Sequence, residues 1–330
     1  MRPLAITLGD PAGIGAEIVF KAIKDLDPAM PFWIFGDWRL AVESVAAALL
    51  PAFPRVAELP SGLQQMPARL FVDIGGADGD RLRTGTIDAR YGRVALDSID
   101  AALRAVEQKL CAALVTAPIH KQSIALAGSP FPGHTELLAA RAGLARYGHD
   151  YAMYFDSPSL RTVLLSVHVS LREAIERIDA GTIVALARLT DREYRRLHGS
   201  APRLAVAGVN PHAGEGGRFG DEERTIARAV DEARAAGLTI SGPHSADTLF
   251  LAASRGEYDV VMAMYHDQGL IPVKTLDFEH SVNVTLGLPY LRASVDHGTA
   301  FDIAGKGTAD AAPMRYAIEW TAQHAEAMAG

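Results

Sequence analysis

Short apolar runs alternate with longer amphipathic segments along most of this chain. The run Leu4–Leu8 precedes an amphipathic segment at 15–26, and the run at 32–35 precedes another segment at 38–50. Apolar runs without charged residues are typical of strands covered on both faces, and their alternation with helices indicates an α/β fold with a largely parallel sheet. The same patterns predict strands at 70–73, 112–116, 162–167, 204–209 and 260–264, and helices at 87–110, 171–197, 221–236 and 314–328.

Three of the predicted strands run into a histidine, namely His168, His212 and His266. Open α/β sheets bind ligands at the carboxyl ends of their strands, so these three rings can converge although they are far apart in sequence. Three neutral imidazoles hold a divalent ion and leave a coordination position open. A single histidine after a strand is explained as well by a bond to a loop carbonyl, but three in equivalent positions favour a metal site.

Size and composition limit the class of protein. A chain of 330 residues exceeds the usual size of one hydrophobic core, which predicts two α/β/α lobes with a cleft between them. The net charge of -7, without a basic cluster among aromatics, argues against a nucleic-acid partner and favours a small molecule. The only cysteine, Cys111, allows no intrachain disulfide. No apolar run is long enough for a signal peptide or membrane span, so we expect a cytoplasmic protein without a membrane partner.

Two glycine- and proline-containing segments follow predicted strands. The segment 9–15, Gly-Asp-Pro-Ala-Gly-Ile-Gly, opens a helix where backbone amides could meet an anion, although its spacing differs from the dinucleotide-binding fingerprint and a tight turn is the simpler interpretation. The segment 116–121 delivers Lys121 to a strand end. Further along, His134 and Thr135 stand at a predicted helix start, where they either bind a ligand or cap the helix.

Polar residues in the last third of the chain are also candidates. Asp247 precedes an amphipathic run, so it either caps a helix or serves as a carboxylate near the metal that accepts a proton. Lys274, Asn283 and Arg292 are spaced nine residues apart and suit a phosphate or carboxylate group, whereas surface salt bridges are the alternative for each cation alone.

The segment 294–307 is the longest motif. It resembles the adenine-side cofactor loop of isocitrate and isopropylmalate dehydrogenases, which carries a similar His-Gly-Ser-Ala-x-Asp-Ile-Ala-Gly-Lys-Gly string. The resemblance implies a nicotinamide cofactor site formed by the residues His297, Gly298, Thr299, Ala300 and Asp302.

Six motifs in order resemble the 4-hydroxythreonine-4-phosphate dehydrogenase family of pyridoxal phosphate biosynthesis, nearly from end to end. They are Gly-Asp-Pro-Ala-Gly-Ile-Gly at 9, Gly-His-Thr-Glu at 133, Asn-Pro-His-Ala-Gly-Glu-Gly-Gly at 210, Ala-Asp-Thr at 246, Met-Tyr-His-Asp-Gln-Gly at 264 and Ser-Val-Asp-His-Gly-Thr-Ala at 294.

The resemblance assigns roles to the candidates. It implies that His168, His212 and His266 bind zinc, magnesium or cobalt and that Asp247 is a catalytic carboxylate. It also implies substrate binding by the residues His134, Thr135, Lys274, Asn283 and Arg292. The implied reaction is oxidation of 4-phosphohydroxy-L-threonine by NAD or NADP, followed by decarboxylation to 3-amino-2-oxopropyl phosphate.

The resemblance further implies a fold like that of the isocitrate dehydrogenases, with a cofactor site unlike a standard Rossmann fold. We expect a cofactor-side lobe at 1–130 plus 285–330 and a metal, substrate and dimerisation lobe at 131–284. A homodimer with its active site at the interface is also implied.

Other activities are compatible with the same residues. Sibling enzymes oxidise threonate or erythronate 4-phosphates or aromatic cis-dihydrodiols, and the segment 276–281, with two acids between Lys274 and Asn283, leaves the substrate open. A metal hydrolase would use the three histidines but would leave the cofactor-like loop unexplained. A phosphometabolite-binding protein without turnover would need the basic residues alone.

Overall fold

Strands and helices alternate through residues 2–59, 67–76 and 81–325, the part of the chain that this computed structural model describes. The expected α/β class is therefore confirmed. The chain divides into two units, Met1–Leu138 with Tyr290–Gly330, and Ala139–Pro289. Among the described residues, no helix is both long enough and apolar enough to cross a membrane.

The strands and helices have the following bounds. The strands are β1 (Leu4–Thr7), β2 (Phe32–Gly36), β3 (Arg55–Val56), β4 (Arg69–Asp73), β5 (Leu114–Thr116), β6 (Ala152–Asp156), β7 (Arg161–Leu164), β8 (Leu204–Ala207), β9 (Ile240–His244), β10 (Val260–Ala263), β11 (Val282–Leu286) and β12 (Arg292–Ser294). The α-helices are α1 (Gly15–Ala22), α2 (Trp38–Ser44), α3 (Ala89–Glu107), α4 (Lys121–Leu126), α5 (His134–Arg141), α6 (Leu171–Glu176), α7 (Ala180–His198), α8 (Glu222–Ala235), α9 (Ala246–Ser254), α10 (His266–Asp277) and α11 (Ala312–Ala325).

The first unit contains parallel strands in the order β3-β4-β2-β1-β5-β12. Every residue of β1 and β2 is buried, as expected for apolar runs in a sheet covered on both faces. The helix α3 begins after Asp88, whose side chain accepts a hydrogen bond from the Arg90 amide and so caps the helix. Its buried positions recur every three or four residues, which is the pattern of a helix packed along one face.

The second unit has a mixed sheet in the order β11-β6-β7-β10-β8-β9. Strand β6 is antiparallel to both β11 and β7, whereas the pairs β7 with β10, β10 with β8 and β8 with β9 are parallel. The helices α9 and α10 pack on these strands through Leu249, Leu270 and Val273, which belong to the same buried cluster as Leu164 and Ala263. This packing fixes the helix that begins at His266.

Two predicted helices are shorter than the sequence pattern indicated. The segment 171–197 is broken into α6 and α7, because Asp179 caps a new helix by accepting a hydrogen bond from the Thr182 amide. The segment 38–50 forms α2 only as far as Ser44, followed by a separate turn of 3-10 helix at Ala47–Leu49. The closing helix is confirmed as far as Ala325, and the remainder of the predicted helix 314–328 lies outside the described residues.

Candidate metal and dehydrogenase site

The three strands that lead to the candidate histidines are neighbours. Strand β10 lies between β7 and β8 and is parallel to both. Their carboxyl ends therefore meet at one edge of the sheet of the second unit, as the sequence predicted. His168 follows β7, His212 follows β8, and His266 is the first residue of the helix that follows β10.

Two of the histidines face a common cavity. His168 and His266 line a pocket of about 220 Å³, together with Ser166 and Asp267. Their ring centroids lie 5.9 Å apart. Imidazole nitrogens bind zinc at about 2 Å, which places two ring centres on one tetrahedral ion roughly 5 Å apart. The observed separation is therefore compatible with a shared ion after a small adjustment of the rings.

The ring of His266 is oriented by its sequence neighbour. Its Nδ1 atom lies 2.7 Å from the Asp267 Oδ1 atom. A carboxylate on one imidazole nitrogen fixes the ring and makes the other nitrogen a better ligand, an arrangement that is common beside metal ions. Asp267 thus leaves the Nε2 atom of His266 for a ligand.

His212 lies on an unusual backbone segment. The φ angles of His212, Ala213, Gly214 and Glu215 are 54°, 51°, 74° and 43°, so four consecutive residues have left-handed backbone. His168 also has a positive φ, of 37°. Such conformations are costly for residues with a Cβ atom, and they cluster at functional sites, where the surrounding structure holds them.

Glu223, in the first turn of α8, holds the His212 segment in place. Its Oε1 atom accepts hydrogen bonds from the backbone amides of Val209 at 2.9 Å and Asn210 at 2.7 Å. Its Oε2 atom accepts a third bond from the Asn210 side chain at 2.8 Å. Glu223 is buried, so these bonds are shielded from water, and the carboxylate anchors the beginning of the left-handed segment.

The donor set fits a divalent ion in kind, because imidazoles from neighbouring strand ends are the expected ligands of zinc or cobalt. Within residues 2–59, 67–76 and 81–325, however, no three His, Cys, Asp or Glu side chains form a group that could hold an ion as they stand. Two predicted ligands share a pocket, and the third lies on the loop of the adjacent strand. The assignment of His168, His212 and His266 as ligands therefore stays a prediction.

Asp247 is the second residue of α9, one position after the helix begins. The N-cap position belongs to Ser245, and Asp247 lies in the first turn, where a negative charge stabilises the helix. The Ser245 hydroxyl donates to the Asp247 carboxylate at 2.6 Å, and this bond is the main reason that the pKa of Asp247 is lowered, with a smaller contribution from His212. Asp247 is thus an exposed, ionised carboxylate that is electrostatically coupled to a candidate ligand.

A fourth histidine at a strand end has a different environment. His244 ends β9, the neighbour of β8, and its Nε2 atom lies 2.8 Å from the Ser241 hydroxyl and 3.4 Å from the Tyr258 hydroxyl. Burial lowers the pKa of His244, so the ring is neutral. The Nε2 atom of His244 therefore already has two hydroxyl groups as neighbours.

The second unit also carries two of the predicted substrate-binding residues. Lys274 lies in α10 and is half-buried, and Asn283 lies in β11 with a buried Oδ1 atom that has no hydrogen-bond partner. An unsatisfied buried polar atom points to a missing water or ligand. The acidic segment between them is partly explained, because the Asp277 carboxylate accepts a bond from the Ser159 amide at 2.9 Å and so holds the β6–β7 turn.

The first unit carries the other three, His134, Thr135 and Arg292. Arg292 is 2% exposed and donates to the Thr116 hydroxyl at 2.7 Å, and burial lowers the pKa of its guanidinium to about 10. Burial, aided by the charge of Arg292, holds the pKa of His134 well below its ordinary value. The Nε2 atom of His134 is buried without a partner. A buried cation beside a neutral imidazole suits an anionic ligand. Thr135 lies within α5, one residue after the helix begins.

The predicted cofactor loop is held by the glycine-rich segment 9–15. The Ile14 amide donates to the Thr299 carbonyl at 3.1 Å, and a Cβ atom at Gly13 would lie 2.9 Å from the Thr299 Cβ atom. The segment therefore packs against the loop, where only glycine allows so close an approach. Space is open around Gly298, and Ala300 has a φ of 44°.

Sequence reasoning missed the residues that orient the candidate ligands. Asp267 and Gln268 were visible in the motif Met-Tyr-His-Asp-Gln-Gly, but nothing in the motif indicated which backbone groups they contact. Glu223 lies eleven residues beyond His212 on a helix that looked ordinarily amphipathic. Its burial distinguishes it from the neighbouring acidic residues, and burial is visible only in the folded structure.

Comparison with known proteins defines the class as an oxidoreductase of α/β fold. A family model described as pyridoxal phosphate biosynthetic protein PdxA matches residues 30–321. The chain belongs to this family.

Individual relatives agree with this assignment. A 4-hydroxythreonine-4-phosphate dehydrogenase of Beijerinckia indica is 42% identical over 97% of this chain and 94% of that protein. A D-threonate 4-phosphate dehydrogenase of Salmonella typhimurium is 40% identical over 98% of both. The crystal structure of a 4-hydroxythreonine-4-phosphate dehydrogenase from Klebsiella pneumoniae superposes with a TM-score of 0.87 at 40% identity, covering 98% of this chain and 100% of that chain. The relatives thus include enzymes named for two different substrates.

Proposed function

We propose that the protein is a metal-dependent, NAD- or NADP-linked dehydrogenase that oxidises the secondary alcohol of 4-phosphohydroxy-L-threonine. The product, 2-amino-3-oxo-4-phosphooxybutanoate, is a β-keto acid and loses carbon dioxide to give 3-amino-2-oxopropyl phosphate. The observation that carries the metal-site proposal is the meeting of three histidine-bearing strand ends at one edge of the second unit. Family membership supports the choice of reaction.

We assign the metal ligands to His168, His212 and His266, and the ion to zinc, cobalt or magnesium. A divalent ion bound there would stabilise negative charge on the substrate oxygen during oxidation and decarboxylation. The chain's own contribution is orientation. Asp267 fixes the ring of His266, and Glu223 holds the segment that carries His212.

Asp247 is the proposed acceptor of the hydroxyl proton. It is an exposed carboxylate that the hydrogen bond from Ser245 orients. A carboxylate is ionised at neutral pH, so it can accept the hydroxyl proton as hydride leaves the carbon that bears the hydroxyl group. The electron pair of the C–H bond goes to the nicotinamide ring as hydride, and the O–H proton goes to Asp247. NAD or NADP is therefore the only oxidant that the step needs, and Asp247 takes up the proton.

The substrate's anionic groups are assigned to the buried polar residues of each unit. In the second unit, Lys274 supplies a cation and the Asn283 amide nitrogen supplies a donor. The buried Oδ1 atom of Asn283 lacks a partner and can accept a bond from a hydroxyl or amino group of the substrate. In the first unit, Arg292 supplies a buried cation, and His134 a neutral ring with a buried nitrogen that lacks a partner. Arg292 already donates to the Thr116 hydroxyl and faces the charge of Glu136, and a bound phosphate or carboxylate would accept further hydrogen bonds from its guanidinium.

The cofactor is assigned to the loop of His297, Gly298, Thr299, Ala300 and Asp302. Space around Gly298 admits a ligand, and the segment 9–15 supports the loop from behind.

We also propose a homodimer formed by the second unit. Its helices α9 and α10, with the turn that follows α10, expose large apolar side chains, and such side chains in one region mark interaction surfaces. The exposed residues are Leu251 at 53%, Ile271 at 63%, Leu276 at 48% and Phe278 at 53%. A self-complementary pairing would bury them in both copies.

A second candidate substrate is D-threonate 4-phosphate. The Salmonella typhimurium relative named for it covers 98% of both chains at 40% identity, close to the identity of the relatives named for 4-hydroxythreonine 4-phosphate. The two substrates share the phosphate and the secondary alcohol and differ at the carbon that bears an amino or a hydroxyl group. The residues around that carbon decide between them.

The test is a substrate panel with purified protein. Each of 4-phosphohydroxy-L-threonine, D-threonate 4-phosphate and an aromatic cis-dihydrodiol is incubated with zinc, cobalt or magnesium and with NAD or NADP. Formation of NADH or NADPH is followed by absorbance and carbon dioxide is measured separately. We expect the highest kcat/KM with 4-phosphohydroxy-L-threonine, and a chelator should abolish turnover.

Each outcome decides between the candidates. Preferential oxidation of D-threonate 4-phosphate would replace the proposed substrate by the second candidate. Metal-dependent hydrolysis without NAD would favour a hydrolase, and binding without turnover that a chelator does not affect would favour a phosphometabolite-binding protein. The variant His212→Ala should lower both metal content and turnover while the fold is kept, and an unchanged metal stoichiometry would refute the ligand assignment.

A further inference from the structure

A continuous set of hydrogen bonds joins the ends of the three histidine-bearing strands. The Ser166 hydroxyl donates to the Met264 carbonyl at 2.9 Å. The Met264 amide donates to the Gln268 Oε1 atom at 2.7 Å. The Gln268 Nε2 atom donates to the Gly208 carbonyl at 2.8 Å. Gln268 is thus bonded to the ends of β10 and β8, and Ser166 connects the end of β7 to β10.

Every residue in this set lies close in sequence to a candidate metal ligand. Ser166 precedes His168 by two residues, Met264 precedes His266 by two, and Gly208 precedes His212 by four. Gln268 itself follows His266 by two residues in the first turn of α10. A displacement of one strand end relative to its neighbours would therefore move a ring relative to the other two.

We propose that Gln268 is a positioning residue that keeps the His212 and His266 strand ends in register, so that their rings can meet at one ion. The inference rests on the proposed metal site and deepens it. Gln268 does not coordinate the ion itself, because its two polar atoms are both committed to backbone groups at 2.7 and 2.8 Å. Its effect is transmitted through the backbone of Met264 and Gly208.

The chemistry of the side chain explains why glutamine suits this position. A primary amide both accepts from the Met264 N–H and donates to the Gly208 carbonyl. Glutamate has the same shape and can accept from Met264, but when ionised it would place an oxygen against the Gly208 oxygen. Methionine has a similar length and bonds neither group well. Gln268→Glu therefore removes only the bond to the Gly208 carbonyl, whereas Gln268→Met removes both bonds.

The neighbouring packing makes the position sensitive to small shifts. Gly269, the next residue of α10, approaches β7 so closely that a Cβ atom there would lie 2.5 Å from the Leu164 side chain. Met264 and Gly208 are buried, so their amide and carbonyl groups have no access to bulk water as a substitute partner. If the glutamine amide is lost, we therefore expect one strand end to move so that these backbone groups can find other partners.

The experiment compares divalent-ion affinity with local backbone protection. Cobalt or zinc binding to wild type, Gln268→Met, Gln268→Glu and the surface control Gln122→Met is measured by competition with a chromophoric chelator. Amide hydrogen exchange over residues 208–212 and 264–268 is measured in the metal-free proteins. Thr190→Val, which removes a buried side-chain bond within α7, controls for a general loss of stability.

We expect Gln268→Met to weaken metal binding by at least tenfold, within the range of roughly 10–100-fold typical for residues that orient metal ligands. Exchange should rise in both segments of Gln268→Met. Gln268→Glu gives the sharper result, because an added negative charge alone would tighten cation binding, whereas the lost donor should weaken it. Gln122→Met should match wild type, and Thr190→Val should lower the melting temperature with little change in metal affinity.

Other outcomes overturn the proposal in distinguishable ways. If wild type binds metal and Gln268→Met binds it equally well, Gln268 does not position the ligands. The same conclusion follows if metal affinity falls in the variant while exchange in both segments is unchanged. If wild type itself binds no divalent ion, the proposed metal site fails, and the positioning role fails with it. That case is recognised from wild type alone.

Discussion

The variant Glu223→Ala tests how the left-handed segment that carries His212 is maintained. Three donors converge on this buried carboxylate, two backbone amides and the Asn210 side chain. Hydrogen bonds to a charged group contribute about 1.5–3 kcal/mol each. Against this, His212, Ala213 and Glu215 have left-handed backbone, which costs about 1–2 kcal/mol for each residue with a Cβ atom. The bonds contribute about 4.5–9 kcal/mol and the backbone costs about 3–6 kcal/mol, so we expect the segment to lose its conformation without Glu223.

The assay is amide hydrogen exchange by mass spectrometry on the metal-free protein. Loss of about 4 kcal/mol of local stability corresponds to roughly a thousandfold faster exchange over residues 209–217. The matched control is Glu222→Ala, because the adjacent Glu222 carboxylate accepts a single bond from Asn210 and its removal should change exchange less than about tenfold. Exchange in Glu223→Ala within threefold of wild type, or a rise spread evenly over α8, would refute the reasoning.

Three further predictions follow from the described contacts. Ala213→Gly should raise stability by about 1 kcal/mol because glycine accepts a φ of 51° without strain, and an unchanged or lower denaturation midpoint contradicts this. Because burial lowers the pKa of His134, the unfolded chain takes up a proton below about pH 6.5 while the folded chain does not. The free energy of unfolding should therefore decrease as the pH is lowered below 6.5, by up to about 1.4 kcal/mol per pH unit. Denaturant unfolding should show a smaller pH dependence in His134→Gln, and an equal pH dependence in the two proteins would contradict the prediction. Phe278→Glu should convert the proposed dimer to monomer in sedimentation, whereas an unaltered mass would remove this surface from the interface.

The sequence predicted the strand ends well because the signal there is strong. The runs before His168, His212 and His266 are apolar and short, and a buried parallel strand is the simplest structure for each. Their adjacency in the order β7-β10-β8 agrees with the expectation that the rings meet. The break at Asp179 was missed because the amphipathic period continues across it, and only the cap geometry reveals a new helix.

Antiparallel and polar strands gave a weaker signal. Strand β11, with the sequence Val-Asn-Val-Thr-Leu, places Asn283 and Thr285 at buried positions, so its pattern resembles a half-exposed strand or a loop. Its partner β6 ends in the buried Asp156, which is bonded to Arg161. A polar residue can lie in a core when it has a hydrogen-bond partner there. A single sequence does not show which residue will be that partner, so it does not predict the burial.

The contacts that orient the candidate ligands were also invisible to sequence reasoning. Gln268 bonds to a carbonyl sixty residues away, and Glu223 in α8 bonds to the amides of Val209 and Asn210, which follow β8. Such pairings depend on the register of the folded sheet. Residue type and spacing therefore identified the candidate ligands, whereas the residues that orient those ligands could be identified only from the folded structure.

The positive φ angles at His168 and His212 have a consequence for how this family can diverge. A histidine in left-handed backbone costs folding stability at each position, whatever its ring does, and glycine or asparagine would remove much of that cost. A descendant that no longer needs an ion would therefore gain stability by replacing either histidine. Histidine at both positions thus indicates a lineage in which selection for metal binding outweighs selection for folding stability. Glycine or asparagine at either position indicates a lineage in which selection for metal binding has been lost.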